Sequence, residues 1–62
     1  MVAERIKAYI EERGIKQCAV AKAAGMTDDA ISRVLKGQRK LTADEFIKIC
    51  RFLRVPADTF TD

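Results

Sequence analysis

Apolar residues recur at helical spacing in four stretches of this chain. Val2, Ile6 and Ile10 follow one another at i and i+4 with Tyr9 beside them, while Glu4, Arg5, Lys7, Glu11 and Glu12 occupy the rest of the wheel. This predicts an amphipathic helix closed by Gly14. From Gln17 to Ala24 the residues are small and helix-favouring, and Val20, Ala21 and Ala24 form an apolar face narrow enough for another helix to approach closely. Gly25 ends that helix and Met26 starts a very short turn. Thr27 is a good N-cap, Asp28 and Asp29 suit the positive end of a helix dipole, and Ile31, Val34 and Leu35 supply an inward stripe before Gly37. Thr42 and Glu45 spell a capping box, with Leu41 placed to staple onto Phe46. The stripe that follows is Phe46, Ile49, Cys50 and Leu53. Pro56 then suits the first turn of a short final helix towards Phe60. No segment alternates with period two, so the expected fold is all-α, five helices in one domain over 1–62.

Length and composition narrow the function classes. At 62 residues the chain lies near the lower limit for one self-sufficient core. Two cysteines 32 positions apart allow at most one disulfide, and histidine is absent. That is too few soft ligands for a structural zinc site and too little for Cys/His nucleophilic chemistry, so neither a metal nor a cofactor is expected. A reduced, cytoplasmic protein is the natural reading. The segment from Met1 has no apolar run of signal-peptide or membrane-span length. Cys50 falls on the inward stripe as a small core residue, and Cys18 near the start of the second helix is expected to be partly exposed. Glu11 and Glu12 read as solvated surface rather than an acid–base pair, and no set of nucleophile, base and orienter can be assembled, so no enzyme activity is expected.

The net charge of +3 is unevenly spread. Residues 1–15 are neutral and 41–62 carry a net −1, whereas 16–40 carry +4. Within that middle, Arg33, Lys36, Arg39 and Lys40 stand with no acidic residue between them, the pattern either of an anion-binding strip or of an ordinary solvated surface. Two short helices joined by a glycine turn are, moreover, an arrangement by which a small domain presents one helix to the DNA major groove.

The residues in this region resemble a known family. Lys16 to Gly37 is similar to the helix-turn-helix of the phage repressor and Cro-like (Xre) family, through Gln17, the Val20-Ala21 pair, the Gly25 turn, Thr27, Ile31-Ser32 and Gly37. Arg5-Ile6 resembles the family's first helix, and Leu53-Arg54-Val55-Pro56 the end of its fourth helix and the start of its fifth. The resemblance implies a compact five-helix, lambda-repressor-like domain that binds double-stranded DNA sequence-specifically, usually as a symmetric homodimer on a palindromic operator, in transcription regulation. Leu35 and Lys16 depart from the family, standing where relatives often carry an acidic residue and a capping hydroxyl.

With Ile31, Val34 and Leu35 inward, the helix wheel turns Asp29, Ser32, Arg33 and Lys36 outward and puts Asp28 on the flank. The resemblance implies that Asp28, Asp29, Ser32 and Arg33 read base edges. Arg33 is suited to the guanine O6 and N7 acceptors, and Asp29, four positions earlier, is spaced to pair with it. The two aspartates also depart from the family, which usually has neutral or basic residues there. They either accept from cytosine N4 or simply stabilise the start of the helix. Phosphate contacts are expected from helix N-termini and the basic loop: Lys16, Gln17, Thr27, Lys36, Gln38, Arg39 and Lys40. Gln17 stands where family members clamp a phosphate with a glutamine amide.

One unit of this size reads few base pairs, so pairing with a second copy is expected. Ile47 and Phe52 flank the fourth helix's inward stripe, where the short fifth helix is the expected cover for either. If it leaves them open, Phe52, Val55 and Phe60 form an apolar patch for a homodimer. No small-molecule ligand or membrane partner is indicated. The alternative function is a protein-interaction module of the same fold that has lost DNA binding, with Asp28 and Asp29 as its main support.

Overall fold

The computed structural model describes residues 2–61, so the expected domain bounds of 1–62 extend one residue beyond them at each end. Four α-helices follow in order: α1 (Val2–Glu12), α2 (Gln17–Ala24), α3 (Asp28–Leu35) and α4 (Ala43–Leu53). No strand occurs among the described residues. The expected fifth helix is a single tight turn of 3-10 type, Ala57–Thr59. Pro56 stands before it in an extended conformation (φ −71°, ψ 156°) rather than inside its first turn. Three residues cannot recover the cost of nucleating an α-helix.

The helix starts follow the side chains. Thr27 Oγ1 accepts from the Ala30 N–H at 3.1 Å. At α4 the capping box is complete: Thr42 Oγ1 accepts from the Glu45 N–H at 3.2 Å and the Glu45 carboxylate accepts from the Thr42 N–H at 3.0 Å. Lys16, which precedes α2, offers no such bond.

All four helices end in the same way. After α2 the Gly25 N–H donates to the Lys22 carbonyl and the Met26 N–H to the Ala21 carbonyl, the paired bonds of a Schellman turn. This turn needs a left-handed residue, and Gly25 supplies it at φ 72°. Equivalent bond pairs close α1 at Gly14 and α3 at Gly37. At α4 the left-handed position is Arg54, at φ 58°, with Arg54 N–H to Arg51 and Val55 N–H to Cys50. A side chain there is strained by about 1–2 kcal/mol relative to glycine.

The core draws on every helix. Ile6 and Ile10 of α1, Val20, Ala21 and Ala24 of α2, Ile31 and Leu35 of α3, and Ile49 and Cys50 of α4 are buried together with Phe60. The small face of α2 lets it pack against both α3 and α4, while α1 lies on α3. Phe46 and Leu53, expected as core, are half-buried at its edge. Phe60 is the largest fully buried side chain. Its ring meets Tyr9 edge-on, centroids 5.4 Å apart, and Phe46 at 6.3 Å. One residue beyond the last turn thus ties α1 to α4.

That burial corrects the expected dimer patch. Phe60, only 1% exposed, cannot contribute to an open surface in this fold, and Val55 is half-buried against the core. Phe52 remains 43% exposed, and Ile47 is 49% exposed on the opposite flank of α4. The final turn, too short and committed to seating Phe60, covers neither.

Candidate nucleic-acid interface

The α2–turn–α3 unit is held from inside by Val20, Ala21, Ala24, Ile31, Val34 and Leu35, all buried. The wheel of α3 therefore leaves Asp28, Asp29 and Arg33 exposed, with Ser32 half-buried beside them. Gln17, Thr27, Lys36, Gln38, Arg39, Lys40 and Lys16 are likewise exposed. No candidate base-reading or phosphate-contacting side chain is consumed by the core.

Arg33 and Asp29 are paired across one turn of α3, Nε to Oδ2, at 3.1 Å. Both stay open to solvent, at 60% and 75% exposure, so the pair adds only a few tenths of a kcal/mol to helix stability. Its geometric effect is larger. Occupying Nε from the Asp29 side leaves both terminal amino groups of Arg33 free to meet a bidentate acceptor.

Thr27 has a complementary arrangement. Its hydroxyl oxygen accepts from Ala30 while its own proton remains available to an anion at the start of α3. The uncapped start of α2 leaves its first amides directed outward beside Gln17.

The basic strip is less uniform than its sequence. Lys36 closes α3, and Gln38 and Lys40 are exposed on the loop that follows. Arg39 instead makes a two-pronged contact with Glu45 of α4, Nη1 to Oε1 and Nη2 to Oε2, both at 3.2 Å. Hydrogen bonds from Arg39 and from the Thr42 amide hold the Glu45 carboxyl below the usual carboxylate range. Beneath the loop an open cleft of about 760 Å³ separates it from the start of α1, with Val2, Val34, Leu41 and Phe46 among its walls. Leu41 and Phe46, the expected staple, both pack against the core there.

Sequence reasoning did not find the Arg39–Glu45 contact, because a loop residue and a helix residue six apart obey no helical or strand period. The signal was there in part: Glu45 was already fixed in direction by the capping box. Cys18 is exposed and Cys50 buried, both as free thiols, and burial pushes the Cys50 thiol up. Among the described residues no cluster of three or more acidic or thiol groups is placed to hold a metal, and no helix is long and apolar enough to cross a membrane.

No curated protein matches the chain. The helix-turn-helix family HTH_3 matches residues 6–60, from within α1 through α2, α3 and α4 to the final turn, which is most of the chain. The chain belongs to this Xre/Cro-like helix-turn-helix family and is a DNA-binding regulator by that membership.

Proposed function

We propose that residues 1–62 form one DNA-reading unit that acts as a homodimer on a palindromic operator, with α3 in the major groove. The observation that carries this reading is the division of α3. One face is sealed into the core by Ile31, Val34 and Leu35, and the other presents Asp28, Asp29, Ser32 and Arg33 to solvent. Arg33 reads a guanine through O6 and N7, and such a contact contributes about 1–3 kcal/mol of discrimination against another base. Asp29 aims it, and either aspartate accepts from a cytosine amino group within reach. Lys16, Gln17, Thr27, Lys36, Gln38, Arg39 and Lys40 fix the register through phosphates. Self-pairing uses the exposed Phe52 with the adjoining edge of Val55, and it places two α3 helices about 34 Å apart, one DNA turn.

The role is that of a repressor or controller protein in the cytoplasm, without cofactor, small-molecule ligand or catalytic step. Selecting bound sequences from a random DNA pool tests the whole reading. A recovered palindrome with half-sites one turn apart is the expected result, and an unselective pool contradicts it.

A second reading has one observation in its favour. Asp28 and Asp29 are both exposed at the start of the helix that would enter the groove, where phosphates repel them. A protein-interaction module of the same fold accounts for these charges, and it predicts no salt-dependent binding to duplex DNA.

A further inference from the structure

The loop after α3 carries exposed cations above an open cleft rather than a packed surface, so something must hold it in a defined position for its charges to meet phosphates at fixed places. We propose that Glu45 is a positioning residue for DNA phosphate: it grips one side of the Arg39 guanidinium and thereby presents the other side to the backbone. The proposal rests on the DNA-binding reading above.

A guanidinium has five N–H donors in a rigid plane. Glu45 takes one from Nη1 and one from Nη2 at 3.2 Å each. Of the three that remain, the Nε–H and the amino hydrogen alongside it form a second fork whose spacing suits two phosphate oxygens. Glu45 is itself tied to the start of α4, because its carboxylate also accepts from the Thr42 amide at 3.0 Å and its own N–H is bonded to Thr42 Oγ1. Its side chain is 15% exposed against 38% for Arg39, so the carboxylate forms the base of the contact and the guanidinium faces outward. The arrangement therefore runs from the capped start of α4, through Glu45, to a cation on the loop after α3.

Simple electrostatics points the other way. A carboxylate near phosphates repels them, and over distances within the Debye length of about 10 Å its removal strengthens DNA binding. The sign of the effect of Glu45→Gln therefore separates positioning from mere charge. Glutamine keeps an oxygen for the Thr42 amide but cannot accept two charge-assisted bonds from Arg39.

The experiment measures binding of wild type, Glu45→Gln, Arg39→Ala, Arg39→Lys and the Glu45→Gln/Arg39→Ala double variant to one random-sequence duplex at fixed salt, with an unfolding curve for each. We expect Glu45→Gln to weaken binding about three- to tenfold, and the double variant to bind no worse than Arg39→Ala. Arg39→Lys, which keeps the charge but not the fork and leaves the capping box intact, should also fall below wild type. Unchanged or tighter binding by Glu45→Gln overturns the proposal, as does full affinity of Arg39→Lys or an equal effect of Glu45→Gln in the Arg39→Ala background. Failure of the wild type itself to bind DNA is a different outcome: it removes the DNA-binding reading and this proposal with it.

Discussion

Asp29 Oδ2 lies 3.1 Å from Arg33 Nε on the exposed face of α3, so the acidic residue least expected in a DNA groove is ion-paired with the residue best suited to read a base. The pairing gives the carboxylate a purpose compatible with DNA binding and predicts separable effects. Arg33→Ala should flatten discrimination at one base position by about 1–3 kcal/mol while leaving the other positions as selective as before. Competition among single-base variants of the operator measures this directly.

Lys40 stands on the basic loop, exposed and without an ion pair among the described residues. Lys40→Ala should weaken binding to all sequences alike, and it should lower the log–log salt slope of a dimer by about two, one phosphate per subunit. Arg39→Ala should likewise lose affinity uniformly. Titrations on operator and random duplexes over a salt series distinguish these losses from the Arg33 effect.

Arg54 occupies the only left-handed position among the described residues that is not a glycine. Arg54→Gly should raise stability by about 1 kcal/mol by relieving that strain. In a domain this small, such a gain lifts Tm by about 4–8 °C, read by thermal unfolding.

Phe60 and Phe52 predict opposite outcomes. Phe60→Ala empties the contact that joins Tyr9 to Phe46 and should cost about 3–5 kcal/mol. That is a large part of the total stability of a domain of this length, about 3–9 kcal/mol, so denaturant unfolding should find its midpoint sharply lowered. Phe52→Ala should leave folding nearly unchanged and weaken self-association on DNA, which sedimentation on an operator duplex detects.

Glu45 confers a pH dependence of known sign. Its carboxyl is held below the usual range in the folded chain, so its contribution to stability is fully present above the ordinary glutamate pKa of about 4.3 and is lost as pH falls through its lower folded value. Wild type should therefore lose more stability than Glu45→Gln on acidification below about pH 4.3. Unfolding curves at stepwise lower pH test the difference.

Much of this architecture is local, and local features are legible in a sequence. Thr42 and Glu45 announce the start of α4, glycines announce three of four helix ends, and the stripes through Ile6, Ile31 and Ile49 face inward as their spacing requires. What escaped reading depends on contacts between distant segments. Phe60 looked like surface because the rings that bury it come from α1 and the start of α4. Arg54 gave no warning because the turn it completes ordinarily calls for glycine. The Asp29–Arg33 pair followed from helical spacing, whereas Arg39 and Glu45 meet only because a loop folds back onto a helix start.

The central claim, that the exposed face of α3 and the basic loop bind duplex DNA, is tested most directly by the affinity of the chain for a DNA duplex at 50 and 200 mM salt. With about four phosphate contacts per subunit, a dimer should lose about 10³- to 10⁵-fold in affinity across that range. Absence of binding at low salt, or affinity indifferent to salt, would contradict the account.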